Sequence, residues 1–209
     1  MSHPFRTIRS FPRLPRLHYL PLLPLLGLTI LAASSQGCDS DSDSKDSKAA
    51  DKGPGAALKC ASSGKNAFDT FGTTAFVAVN EAIFTNVGTE VTASGATNLG
   101  DSFGKIGTGT PPSTADDAAA FKGNLAAFLV YAYGGPSVIT YTDGKMYTGP
   151  QDMVSAHAGL GITSAQYDYF IANVVVPALT SSGVTTADVS SCFAPIVTDA
   201  AFKASIVGH

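Results

Sequence analysis

The stretch MVSAHAGLGITSAQYDYF (153–170) sets His157 in an apolar run just ahead of two glycines. Of the four histidines, His3 and His18 lie in an N-terminal segment with export-signal features, and His209 is the last residue. His157 is thus the one interior imidazole of the remaining chain. An imidazole can serve as general base, metal ligand or hydrogen-bonded core residue. A catalytic triad would need an activated nucleophile, and no nucleophile-elbow pattern accompanies it. Zinc and non-haem iron sites usually draw on more than one imidazole. A single histidine is enough for haem, whose porphyrin supplies four further ligands. The commoner fate of a lone histidine is a satisfied structural residue, and residue type alone leaves both readings open. A haem pocket needs large apolar side chains, and Phe84, Phe103, Phe121, Leu125, Phe128, Leu129, Ile162, Tyr167 and Ile171 are available. Ordinary core packing would use the same residues.

The elements that would position His157 are read mostly as helices. AFVAVNEAIFTNV (75–87) spaces Phe76, Val79, Ile83 and Val87 by three and four, one helical stripe. DDAAAFKGNLAAFLVYAY (116–133) starts with acids, which suit a helix N-terminus, and aligns Phe121, Leu125, Phe128 and Leu129. Thr163 can cap a third helix that stops at Ser182-Gly183, and Thr186 or Asp188 opens a fourth reaching Ile206. Pro177 and Pro195 fall inside these last two and are expected to bend or shorten them. Residues 88–115 read as a loop anchored by Leu99, Phe103 and Ile106. Residues 134–152 lose the helical period, and Asp143-Gly144 between β-formers signals a local hairpin. No internal repeat is present. The expectation is a small all-α domain with two long loops.

GGP (134–136), YTG (147–149), MVSAHAGLGIT (153–163) and the following QYDYF together resemble the group I truncated haemoglobins. That family carries a Gly-Gly pair closing the distal helix, then Tyr-x-Gly, then Met-x-x-x-His. AFDTFGTTAF (67–76), GVTTADV and FAPIV extend the resemblance over roughly 66–207. It implies an all-α truncated globin fold, a 2-over-2 helical sandwich, with haem b held by His157 as proximal iron ligand. It implies reversible binding of O₂, NO or CO. Residues expected around the haem are Phe84, Thr85, Phe103, Phe121, Lys122, Leu125, Ile162 and Tyr167. Thr85 falls where the family places a distal tyrosine, and Leu125 where glutamine is common. Gly72-Thr73 stands for the family's early Gly-Gly, and SVITYTDGKM enlarges the distal-to-proximal loop by about ten residues. With no arginine outside the first 16 residues, Lys105 or Lys122 would meet the propionates. A tyrosine, Tyr131 or Tyr133, could also reach inward. The resemblance leaves two other readings open. One is NO dioxygenation or electron transfer with a reductase partner, and the other a degenerate globin-fold surface lipoprotein without haem.

The N-terminal third is read as address rather than fold. Arg6, Arg9, Arg13 and Arg16 precede the 14-residue apolar run LPLLPLLGLTILAA (20–33) and small residues up to Cys38. That is the plan of a secretory signal, and the run is shorter than the roughly 20 residues a spanning helix needs. Gly37-Cys38 resembles a bacterial lipobox, although Ser35 replaces its usual leucine. It implies a signal peptide over 1–37, acylation of Cys38 and membrane attachment through lipid alone. A secreted protein cleaved nearby is the other reading. Residues 38–65 then form an acidic, Ser-rich tether, and 66–209 the domain. Beyond the signal, nine lysines face 16 acidic residues, about −7, which argues against a nucleic-acid partner. In an oxidising compartment, Cys60 and Cys192 could bridge the two ends of the domain or remain buried thiols.

Overall fold

The computed structural model describes residues 52–94, 97–108 and 115–209, with the side chains of 105–108 and 115–117 excepted. Cys38, the signal and the first half of the tether lie outside these residues. The described chain is mostly helical. Its order is α1 (Ala67–Ser94), α2 (Asp101–Thr108), α3 (Ala115–Ala132), β1 (Val138–Thr140), β2 (Met146–Thr148), α4 (Met153–His157), α5 (Ser164–Phe170), α6 (Val176–Ser181), α7 (Thr186–Asp188), α8 (Ala194–Val197) and α9 (Ala200–Ala204). No helix among the described residues is long and apolar enough to cross a membrane.

In α1, Gly72 takes φ 73°, ψ 170° inside the run and breaks it into two helical pieces. The left-handed half of backbone space is cheap only for glycine, so the kink is encoded at that residue. Beyond it Phe76, Val79, Ile83, Val87 and Val91 are buried along one stripe. The helix therefore runs past Gly88, and α2 follows, where a loop over 88–115 was expected. Thr89, Thr92 and Ser94 each donate a hydroxyl to the carbonyl four residues back, which lets polar residues ride on the exposed face.

The two prolines do not end their helices. Each follows a π-turn, Ile171–Val175 before Pro177 and Val189–Phe193 before Pro195, and the helix continues past it. Proline cannot donate to the carbonyl four residues back, and a widened turn shifts the bonding pattern so that the chain need not break there. Thr163 caps α5 as read, in a complete capping box with Gln166. The expected fourth helix is split, with Asp199 capping α9 separately.

The enlarged loop forms the signalled hairpin. β1 and β2 pair antiparallel, Ile139 opposite Tyr147, with Gly144 at φ 77° in the turn. Ile139 and Tyr141 are buried while Met146 is 75% exposed. Cys60 and Cys192 are joined in a disulfide spanning 132 residues, which ties the segment before α1 to the turn before α8. A loop of that length lowers the entropy of the unfolded chain by an amount worth about 4–5 kcal/mol. Next to it the Ser62 N–H donates to Asp188 Oδ1 at 2.9 Å, and the Ala61 N–H to Ser191 Oγ at 3.0 Å.

Candidate functional site: a histidine on an apolar cavity

His157 is the last residue of the short helix α4. Asp152 begins that helix by accepting from the Val154 N–H, and the Ser155 hydroxyl, its strongest partner, holds the Asp152 carboxyl below its usual range. One turn ahead of the histidine, the Met153 carbonyl lies 2.8 Å from His157 Nδ1. A carbonyl oxygen only accepts, so Nδ1 carries a proton, and in the neutral tautomer this bond selects, Nε2 presents its lone pair. Nε2 has no hydrogen-bond partner among the described residues. A ring fixed through one nitrogen and free at the other is prepared for a Lewis acid, as metal-ligating histidines generally are.

The half-buried imidazole forms part of the wall of a cavity of about 540 Å³. That volume falls within the ~300–1,000 Å³ of small-molecule and cofactor sites. Helix α3 contributes Phe121, Leu125, Phe128 and Leu129. Phe103 comes from α2 and Tyr167 and Phe170 from α5, with Ile162 on the loop between α4 and α5. The rings of Phe103 and Phe170 stack at 5.2 Å, and Phe103 lies 6.0 Å from Phe121. Asp101, Asn124 and Gln151 also line the cavity and are exposed, so polarity collects at its rim. Two buried tyrosines reach it with committed hydroxyls. Tyr133 donates to the Phe193 carbonyl at 3.1 Å and Tyr167 to the Val197 carbonyl at 2.7 Å. Burial, the larger cause in each, pushes both phenols up, Tyr167 to about 12.

Of the residues singled out from sequence, His157, Phe103, Phe121, Leu125, Ile162 and Tyr167 share this one cavity. Three do not line it. Thr85 is exposed and spends its hydroxyl on the Glu81 carbonyl at 3.0 Å. Counting to Thr85 from Phe68-Asp69 crosses the Gly72 break, where helical phase is lost, and Ile83 is the α1 residue that faces the cavity. Phe84 packs behind the wall, edge-on to Phe121 at 5.2 Å. Lys122 turns away to Glu81 at 2.9 Å and lies 5.1 Å above the Phe84 ring, so it does not supply a cation at the rim. Lys105 falls in α2 with its side chain outside those described. Tyr131 does not line the cavity either, and it packs against Gly149.

Sequence reading missed Leu99, Met153, Phe202 and Ile206 on the cavity wall. Leu99 and Ile206 are buried apolar residues without a clear helical period around them, so only tertiary contact marks them. Among the described residues, the cluster with metal-ligand chemistry, Cys60, Asp188 and Cys192, has its sulfurs joined to each other, which removes the thiolates a metal would need. No family model matches the chain, and neither does any curated protein or solved structure.

Proposed function

We propose that this protein binds haem b through His157 and carries diatomic gases, as a truncated globin with the 2-over-2 sandwich that its motifs resemble. The observation that carries the reading is His157 itself, whose Nε2 is unpartnered on the wall of an apolar cavity while Nδ1 is locked to the Met153 carbonyl. The donor set suits haem better than a bare ion, because among the described residues His157 belongs to no group of three or more possible metal ligands, and one imidazole would hold zinc poorly. Bound haem supplies an iron that can take O₂, NO or CO. The chain's own contribution is to orient the imidazole, enclose the ring among Phe103, Phe121, Leu125 and Phe170, and keep water from the interior. Ser102, Asn124 and Gln151 at the rim offer hydroxyl and amide donors to propionates. Both domain cysteines are joined to each other, so the haem would be held without a thioether link. Export and a lipid anchor at Cys38 would place this chemistry outside the cytoplasm, and NO dioxygenation there would add a reductase as partner.

Titration of the exported form with haemin tests this. The expected result is a Soret band saturating at one haem per chain, with a five-coordinate ferrous spectrum. His157→Gly should lose that ligation and regain it with added imidazole. Unchanged ligation in His157→Gly overturns the assignment. One observation favours a second reading, a site for a neutral apolar molecule. Asp101 stands at the rim, and no described lysine side chain faces it. In that case haemin would give no Soret shift, and an apolar fluorescent probe would bind instead.

A further inference from the structure

We infer that this cavity selects NO and CO over O₂, because among the described residues the buried hydroxyls on its wall are already committed to main-chain carbonyls. The inference rests on the haem reading above. It concerns which of the diatomic gases the site is built for.

O₂ taken up by a ferrous centre draws electron density onto itself and gains from a nearby O–H or N–H donor. CO and NO stay closer to neutral and gain little. Discrimination therefore depends on donors inside the cavity. Four hydroxyls on or near the wall are committed or turned away, and a fifth, Ser102, is half-buried on the wall. Tyr133 and Tyr167 donate to the carbonyls of Phe193 and Val197. Both acceptors are main-chain atoms of the fold, so redirecting either phenol would give up a hydrogen bond the fold already makes. Thr85 donates to Glu81 and is exposed on the far side of α1. Tyr131 does not line the cavity. The half-buried amide Gln166 has Oε1 accepting from the Thr163 N–H at 2.8 Å in the capping box, while its Nε2 makes no hydrogen bond among the described residues. Its Nε2 is packed against Gly100, 2.9 Å from where a Cβ there would sit. The other polar lining groups are the exposed Asp101, Asn124 and Gln151 and the half-buried Ser102. What faces the interior is hydrocarbon and aromatic carbon, chiefly from Ile83, Phe121, Leu125 and Leu129.

The test supplies the missing donor. In the haem-loaded protein, Leu125→Gln should slow O₂ dissociation about 10- to 100-fold, the range expected when a hydrogen bond to a charge-bearing acceptor is added. CO dissociation should change by less than about threefold, since CO makes little use of a donor. The infrared C–O stretch gives a readout independent of turnover. A single high-frequency band is expected in the unmodified protein, moving to lower frequency in Leu125→Gln. Phe121→Tyr provides the same test from the adjacent turn if the glutamine variant folds poorly. Thr85→Val should leave O₂ dissociation unchanged, and a large acceleration there would overturn the inference. So would an unmodified protein whose C–O stretch already lies at the donor-shifted position and whose O₂ loss is as slow as that of Leu125→Gln. Those outcomes leave haem binding intact. Failure of haemin to produce a Soret band removes both readings together.

Discussion

Along α3, Phe121, Leu125, Phe128 and Leu129 face the cavity, whereas Gly123, Ala126, Ala127 and Val130 lie half a helical turn round and are buried against the rest of the fold. The front is built from large side chains with open space before them. The back is built from small ones with none. The Tyr147 ring rests where a Gly123 Cβ would stand, 2.2 Å from its nearest atom. Gly149 is as close to Ala127 and Tyr131, and Gly135 to Val130 and Phe68. One helix therefore performs two tasks that need opposite packing. Small residues let the hairpin and α1 approach closely and fix the helix, and a fixed helix can hold bulky side chains around a space they do not fill.

The largest expected effect comes from disturbing the back. Gly123→Ala should destabilise the fold by about 1–3 kcal/mol by overpacking, outweighing the ~1 kcal/mol that alanine ordinarily gains over glycine in a helix. Chemical denaturation would read it. Tyr147→Ala in the same chain should recover part of the loss, because the two changes share one contact. A Gly123→Ala variant with an unshifted midpoint would break the contrast between the faces.

A second consequence lies where the hairpin meets α1. The Tyr141 hydroxyl donates to the Glu81 carboxylate, and Asn80 Nδ2 donates to the Tyr141 oxygen at 3.0 Å and to the Lys122 carbonyl at 3.1 Å. Burial first, and then the Glu81 bond, push the Tyr141 phenol up to about 12. Burial also pushes Glu81 upward, but its hydrogen bonds with Tyr141 and Lys122 outweigh that and leave it below its ordinary value. For Tyr141 the folded state holds the proton more tightly than the unfolded one. Its contribution is therefore complete below pH ~10 and is lost as pH rises towards about 12. Stability should decline over that window, shared with Tyr133 and Tyr167 on the cavity side. Tyr141→Phe should reduce the slope by up to about one bound proton. An identical alkaline slope in Tyr141→Phe would mean the phenol is no more protected than in the unfolded chain.

How legible this was from sequence follows the same division. The front stripe of α3, the stripe from Phe76 to Val87, the Thr163 cap and the Asp143-Gly144 turn each carry a local signal, and the structure has them. The back of α3 carried none, since glycine and alanine read as helix filler until the ring above them is known. Val91 continued the α1 stripe, but Gly88 and the threonines around it suggested a loop. Their hydroxyl bonds to the preceding turn are visible only in the folded helix. Pro177 and Pro195 read as bends or early stops because nothing local announces a π-turn two residues earlier. For the candidate site, His157 and most of the apolar wall were legible, while Thr85 was misplaced by counting through Gly72. Lys122 was assigned to the cavity side, yet Glu81 is near only after α1 and α3 pack.

The smallest effect gives the sharpest comparison. Leu125→Ala removes three carbons and Val130→Ala only two, so area lost would rank the leucine change as the costlier. The cavity reverses that order. Val130 is fully buried at 0% exposure with neighbours on every side, and its truncation should cost about 2 kcal/mol through transfer and a new void. Leu125 already borders open space, so its outer methyls lack contacts to lose, and its truncation should cost about 1 kcal/mol less than that. Paired denaturation curves without added haem would measure the difference. If Leu125→Ala proves the costlier, the space before α3 is filled by the protein itself in solution. The two faces of the helix would then be alike, and the room for a ligand beside His157 would be gone.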